Sequence, residues 1–159
     1  MANYDEEVAT RVLALAAMVD RRIPAYDPGA VQAWAFMFEG QGVFVDEARE
    51  AVRAHYRKPN AFPIQPGDVI DHCRKMPVNS SRERLAAEIT KWSQYPYSGR
   101  VQELTGMAWE PTFPAPDGVH GDVDAEREFH RNELRQWIQN NGEHLLDAGM
   151  NIEQKALTQ

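Results

Sequence analysis

Apolar positions recur at helical spacing along most of the chain, and no alternating pattern runs long enough to suggest a sheet. Between Asp5 and about Arg21, Val8, Val12, Leu15 and Val19 mark one face, which Leu13 and Ala16 widen into a stripe suited to the centre of a bundle. Pro24 closes this segment. Asp27-Pro28 then opens a second helix with a cap and a first-turn proline, and Val31, Trp34, Ala35 and Phe38 share its apolar side. A third helix begins at Asp46, which can cap it; Glu47 and Glu50 stand in its early turns and Arg57 and Lys58 in its last, the distribution that the helix dipole favours. Ala48, Ala51, Val52 and His55 line one face of it, while Arg49, Arg53 and Arg57 repeat at i, i+4 and i+8 along another. Pro63 and Pro66 force the chain out of helix. Gln65-Pro66-Gly67-Asp68 restarts it, with Val69, Ile70 and Cys73 as the buried side.

Pro77-Val78-Asn79 reads as a break, after which Ser80 and Glu83 stand at capping-box spacing and launch a fifth helix through about Gln94, with Leu85, Ile89 and Trp92 apolar. From Tyr95 to Gly121 the composition turns to Pro, Gly and aromatic residues, interrupted by a stretch from Arg100 to Met107 that can hold one or two helical turns. A last helix is predicted from Asp122 to Asn141, stopped by Asn141-Gly142, with Phe129, Leu134, Trp137 and Ile138 on its apolar side. The expected architecture is therefore all-α: a bundle of four to five helices over residues 1–94, a Pro/Gly/aromatic-rich linker over 95–121, and a C-terminal amphipathic helix and tail over 122–159.

The length of 159 residues suits one domain, or one domain with an appended segment, and 43% hydrophobic with 26% charged residues is ordinary for a chain that builds a core. The longest apolar windows, Val12 to Val19 and Ala33 to Phe38, fall far short of the ~20 residues that a bilayer requires. The N-terminus is acidic where a secretory signal is basic, which predicts a protein that stays in the bacterial cytoplasm where it is made. A single cysteine, Cys73, excludes an intrachain disulfide and a Cys-based zinc site. The net charge of −7, most of it in the C-terminal half, weighs against indiscriminate binding to duplex DNA but leaves room for a local site.

Three constellations carry candidate chemistry. Arg49, Arg53, Arg57 and Lys58, with Arg74 and Lys75 nearby in sequence, can grip phosphates or an acidic partner surface, or can be a solvated face paired with Asp46, Glu47 and Glu50. Trp92, Tyr95 and Tyr97, followed by Arg100, form an aromatic group that anchors a protein partner if exposed and staples the linker if buried. Phe129, Trp137 and Ile138 are candidate anchors for helix-in-groove recognition, or for a homodimer, if the last helix does not pack on its own bundle. Glu126 and His130, with His120, Asp122 and Asp124, have partial metal-ligand spacing, but acids at a helix start are better explained by capping and the dipole. GxSxG, HExxH, GxGxxG and a Gly-rich phosphate loop are all absent, which leaves no recognisable catalytic centre and calls for no cofactor.

Trp34, a helix carrying Ala51-Val52 and ending in His55-Tyr56, and the run Ile64 to Val69 together resemble a family of small helical proteins from phages and prophages of high-GC bacteria. The N-terminal module of that family is similar to that of phage helicase loaders, or replisome organisers. The resemblance covers residues 5 to 76 and implies an all-α domain that contacts a replicative helicase and assists or modulates its loading without hydrolysing nucleotide. A DNA-binding regulator using the Arg49 to Lys58 face, and an inhibitor of a host replication or transcription protein, are the alternatives.

Overall fold

The computed structural model describes residues 3–152, and all regular structure among them is helical. Seven helices occur in order: α1 (Tyr4–Val19), α2 (Pro28–Phe38), α3 (Val45–Tyr56), α4 (Pro66–Arg74), α5 (Arg82–Trp92), α6 (Ser98–Thr105) and α7 (Val123–Met150). Packing divides them between Met76 and Pro77 into a four-helix unit and a three-helix unit.

In the first unit α1 packs on α2 and α3, and α3 packs on α4. Val8, Val12 and Ala16 meet Val31, Ala35 and Phe38, with Ala48, Ala51 and Val52 from α3 and Val69, Ile70 and Cys73 from α4. Val8, Val12 and Phe38 are wholly buried, and withdrawing each from water is worth about 1.5–3 kcal/mol. Val19, placed on the same stripe by its spacing, is 58% exposed. Asp27 caps α2 by accepting from Gly29 N at 2.9 Å, and Asp68 closes the start of α4 by accepting from Gln65 N at 2.9 Å. The cap expected at Asp46 lies elsewhere: α3 starts at Val45 with Phe44 as its N-cap residue, so Asp46 stands in the first turn, where its charge still complements the dipole.

In the second unit α5, α6 and α7 pack pairwise around Leu85, Ile89, Val101, Leu104 and Leu145. Ser81 caps α5 by accepting from Arg84 N at 3.1 Å. Arg82 reaches across to Glu143 at 2.7 Å and Asp147 at 2.6 Å, joining α5 to α7. Asn79 donates to Gly149 O at 3.2 Å and Ile152 O at 3.1 Å, satisfying carbonyls that the end of α7 leaves open.

Several boundaries differ from the sequence expectation. Among the described residues the helix count is seven, because residues 98–105 within the expected linker form α6, ended by Gly106 in the left-handed region at φ 73°. Val101 and Leu104 give α6 two buried anchors, enough to hold a two-turn helix in place. α5 joins α6 and α7, not α1 to α4. α7 does not stop at Asn141-Gly142 but continues to Met150. A glycine inside a helix costs about 1 kcal/mol relative to alanine, and the packing of Leu145, Leu146 and Met150 beyond it outweighs that cost. The tail after residue 152, together with Met1 and Ala2, lies outside the described residues.

Candidate functional site

The arginine ladder of α3 borders a cleft of about 590 Å³ between α1 and α3. Leu15, Val19, Val52 and Tyr56 supply its apolar part, and Arg49, Arg53 and Arg57 stand along it with Asp46 and Glu50. Arg53 pairs with Glu50 at 3.2 Å, whereas Arg49 and Arg57 have no ion pair among the described residues. Successive arginines one turn apart are offset by about 6 Å along the helix axis. The remaining basic residues do not join this face. Lys58 borders a separate small cavity with His55, Asp68 and His72, Arg74 donates to Gln41 Oε1 at 2.6 Å, and Lys75 pairs with Asp71 at 2.6 Å.

The shape of this cleft depends on Tyr56, whose hydroxyl donates to Asp20 Oδ2 at 2.9 Å and accepts from Ile64 N at 3.1 Å. Asp20 is only 6% exposed and is clasped by Arg22, whose Nε and Nη2 reach its two oxygens at 2.8 and 2.9 Å. Those arginine bonds, opposed by burial and supported by Tyr56, hold the Asp20 carboxyl far below the ordinary carboxylate range. Arg22 also donates to Ala61 O at 2.7 Å. The end of α1 is thus tied to the connection that precedes α4.

The candidate partner residues of the second unit divide into two groups. Trp92, Trp137 and Ile138 pack against the unit's own core, because α7 lies on α5 and α6. Trp92 also donates to Glu88 Oε2 at 3.2 Å and has Lys91 over its ring at 5.1 Å. Tyr97 is 56% exposed, Tyr95 is half-buried, and Phe129 is half-buried beside Trp109 and Trp137 in a cleft of about 500 Å³.

Glu126 and His130 do not converge on a common point. Glu126 accepts from Gly121 N at 2.7 Å and lies 3.1 Å from His120 Nδ1, while His130 Nδ1 lies 3.2 Å from Glu133 Oε2. No group of three His, Cys, Asp or Glu residues placed for a metal ion occurs among the described residues. Asp122 instead caps α7, accepting from Asp124 N and Ala125 N at 3.0 and 3.1 Å. Glu133 also accepts from the backbone and hydroxyl of Thr112. Burial raises the Glu133 pKa, but the hydrogen bonds from Thr112 and His130 outweigh it and leave the carboxyl below its ordinary value.

A second arginine ladder, Arg127, Arg131 and Arg135 on α7, borders two adjoining clefts that meet at Gln94, Tyr95 and Arg131. Its i, i+4, i+8 spacing is as readable in the sequence as that of α3, but the acidic residues between its members mask it.

No protein-family model, curated protein or solved structure matches this chain. The fold defines an all-α protein of two helical units, and no helix among the described residues is long and apolar enough to cross a membrane.

Proposed function

We propose that the chain is a non-enzymatic accessory protein of DNA replication whose first unit captures an acidic amphipathic helix of its partner. A replicative helicase is the partner toward which the likeness carried by Trp34, His55-Tyr56 and Ile64 to Val69 points, and modulation of helicase loading is the role that follows. One observation supports the reading above others: the α1–α3 cleft sets an apolar strip beside three arginines one helical turn apart. A partner helix with apolar residues one turn apart matches the strip made by Leu15 and Val19, and carboxylates on its flank match the ladder. Exposed ion pairs contribute at most about 1 kcal/mol each, so the apolar strip supplies affinity while the arginines set orientation and association rate.

The experiment is calorimetric titration of the full chain against a purified replicative helicase of a high-GC bacterium, in parallel with the triple variant R49Q/R53Q/R57Q and with Val19→Asp. Wild type is expected to bind, and both variants to bind at least tenfold more weakly with unchanged circular dichroism. A wild-type chain that ignores the helicase rejects the helicase as partner, and equal binding by the variants rejects the cleft. Binding of duplex DNA by wild type and not by the triple variant, with a steep salt slope, favours a DNA-binding regulator instead.

A further inference from the structure

We propose that the second unit binds a nucleobase-phosphate ligand in the groove that α7 forms with the segment Gln94 to Tyr97. This site does not rest on the partner cleft of the first unit. The groove is the continuation of two clefts of about 550 and 620 Å³ that share Gln94, Tyr95 and Arg131. Along its α7 side Arg127, Arg131 and Arg135 succeed one another at single-turn spacing, spanning about 12 Å of helix axis. Arg135 has no ion pair among the described residues, and Arg127 approaches Asp124 only to 3.8 Å. The two acids that also line the groove are already engaged: Glu128 by Arg131 at 3.4 Å, and Glu126 by Gly121 N and His120.

Aromatic rings line the same groove as these guanidinium groups. Tyr97 is 56% exposed and Phe113 is 67% exposed, and both rings line the part of the groove that also holds Arg127 and Arg131. His130 forms part of the wall, 2% exposed, with ring centroids 5.4 Å from Tyr95 and 4.8 Å from Phe113. Its Nδ1 is taken by Glu133, and its buried Nε2 has no hydrogen-bond partner among the described residues. A buried nitrogen without a partner, in a residue that lines a polar cleft, calls for one from a water or a ligand.

Cations in a row with aromatic faces beside them are what a nucleotide requires, phosphates on the arginines and bases stacked on the rings. Such stacking is indifferent to base identity because every base presents a π-face. An acidic peptide satisfies the arginines but leaves Tyr97 and Phe113 in water. The shared chemistry belongs both to a free nucleotide and to a single strand of nucleic acid.

The test is fluorescence anisotropy of a labelled oligo-dT of about ten nucleotides at low salt, with the full chain, the variant R131Q/R135Q and the variant Tyr97→Ala. Wild type is expected to bind, each variant to lose at least tenfold in affinity while remaining folded at the assay temperature by thermal melting, and R131Q/R135Q to lower the slope of log affinity against log salt by about 1.4. Thymidine monophosphate is the competing arm: displacement of the oligonucleotide supports the site with a free nucleotide as ligand, and failure to displace it supports the site with a strand as ligand. Absence of oligonucleotide binding by wild type overturns the proposal. So does binding lost in R49Q/R53Q/R57Q and retained in R131Q/R135Q, or displacement by a polyglutamate peptide as effective as by excess oligonucleotide.

Discussion

Tyr56 at the end of α3 donates its phenol hydroxyl to the carboxylate of Asp20, the residue that ends α1, at 2.9 Å, and the same oxygen accepts from Ile64 N. One side chain therefore fixes the relation of α1, α3 and the entry to α4. Tyr56→Phe keeps the ring and removes the oxygen, leaving a backbone N–H without its acceptor. The expected loss is about 1–2 kcal/mol of unfolding free energy, read from urea denaturation followed by circular dichroism. A variant as stable as wild type would show that water replaces the hydroxyl at both contacts.

Asp20 also makes the acid stability of the first unit predictable in sign. Its folded pKa lies below the unfolded value of about 3.9, so its contribution is complete above that value and disappears as pH falls through the folded pKa. Asp20→Asn is expected to melt at a lower temperature than wild type at neutral pH. The gap between the two is expected to narrow steadily below about pH 4. Melting curves from pH 7 downward check this, and a gap that stays constant into acid would remove Asp20 as its source.

The fold was legible where periodicity and turn chemistry agree. Asp27-Pro28 and Gln65 to Asp68 both begin helices as their sequences indicate, and Ala48, Ala51 and Val52 are buried together. Periodicity failed where tertiary contacts decide. α6 carries little intrinsic signal and exists through the burial of Val101 and Leu104; α7 crosses Asn141-Gly142 because Leu145 beyond it is buried. The arginine ladder of α3 was readable as a face, but its meaning was not, since the apolar strip beside it comes partly from Leu15 and Val19 on another helix. The α7 groove was illegible for the same reason: Tyr97, Phe113 and Arg131 are distant in sequence and meet through folding.

Trp137 is half-buried against the core of the second unit, although it also borders the cleft with Trp109 and Phe129. Truncating a fully buried tryptophan costs about 3–5 kcal/mol, so Trp137→Ala is expected to cost about 2–3 kcal/mol. Tyr97→Ala, at an exposed ring in the same unit, is expected to cost under about 1 kcal/mol. Urea midpoints of the two variants make the comparison. Wild-type stability in Trp137→Ala would instead identify that ring as free for an external partner.

Two glycines of α7 call for opposite responses to the same substitution. A Cβ at Gly142 meets nothing within 4 Å, whereas one at Gly149 would stand 2.6 Å from Leu85 Cδ2 and 2.9 Å from Leu104 O. Alanine at Gly142 removes the entropic cost of a mid-helix glycine and is expected to stabilise by about 0.5–1 kcal/mol. Gly149→Ala must push α7 away from a backbone carbonyl that cannot swing aside, and the expected cost is about 1–3 kcal/mol. Thermal melts of the pair provide an internal control, because helix propensity alone raises both. If Gly149→Ala proved as stabilising as Gly142→Ala, the close approach of α7 to Leu85 and Leu104 would be wrong, and with it the packing that carries this helix past residue 142.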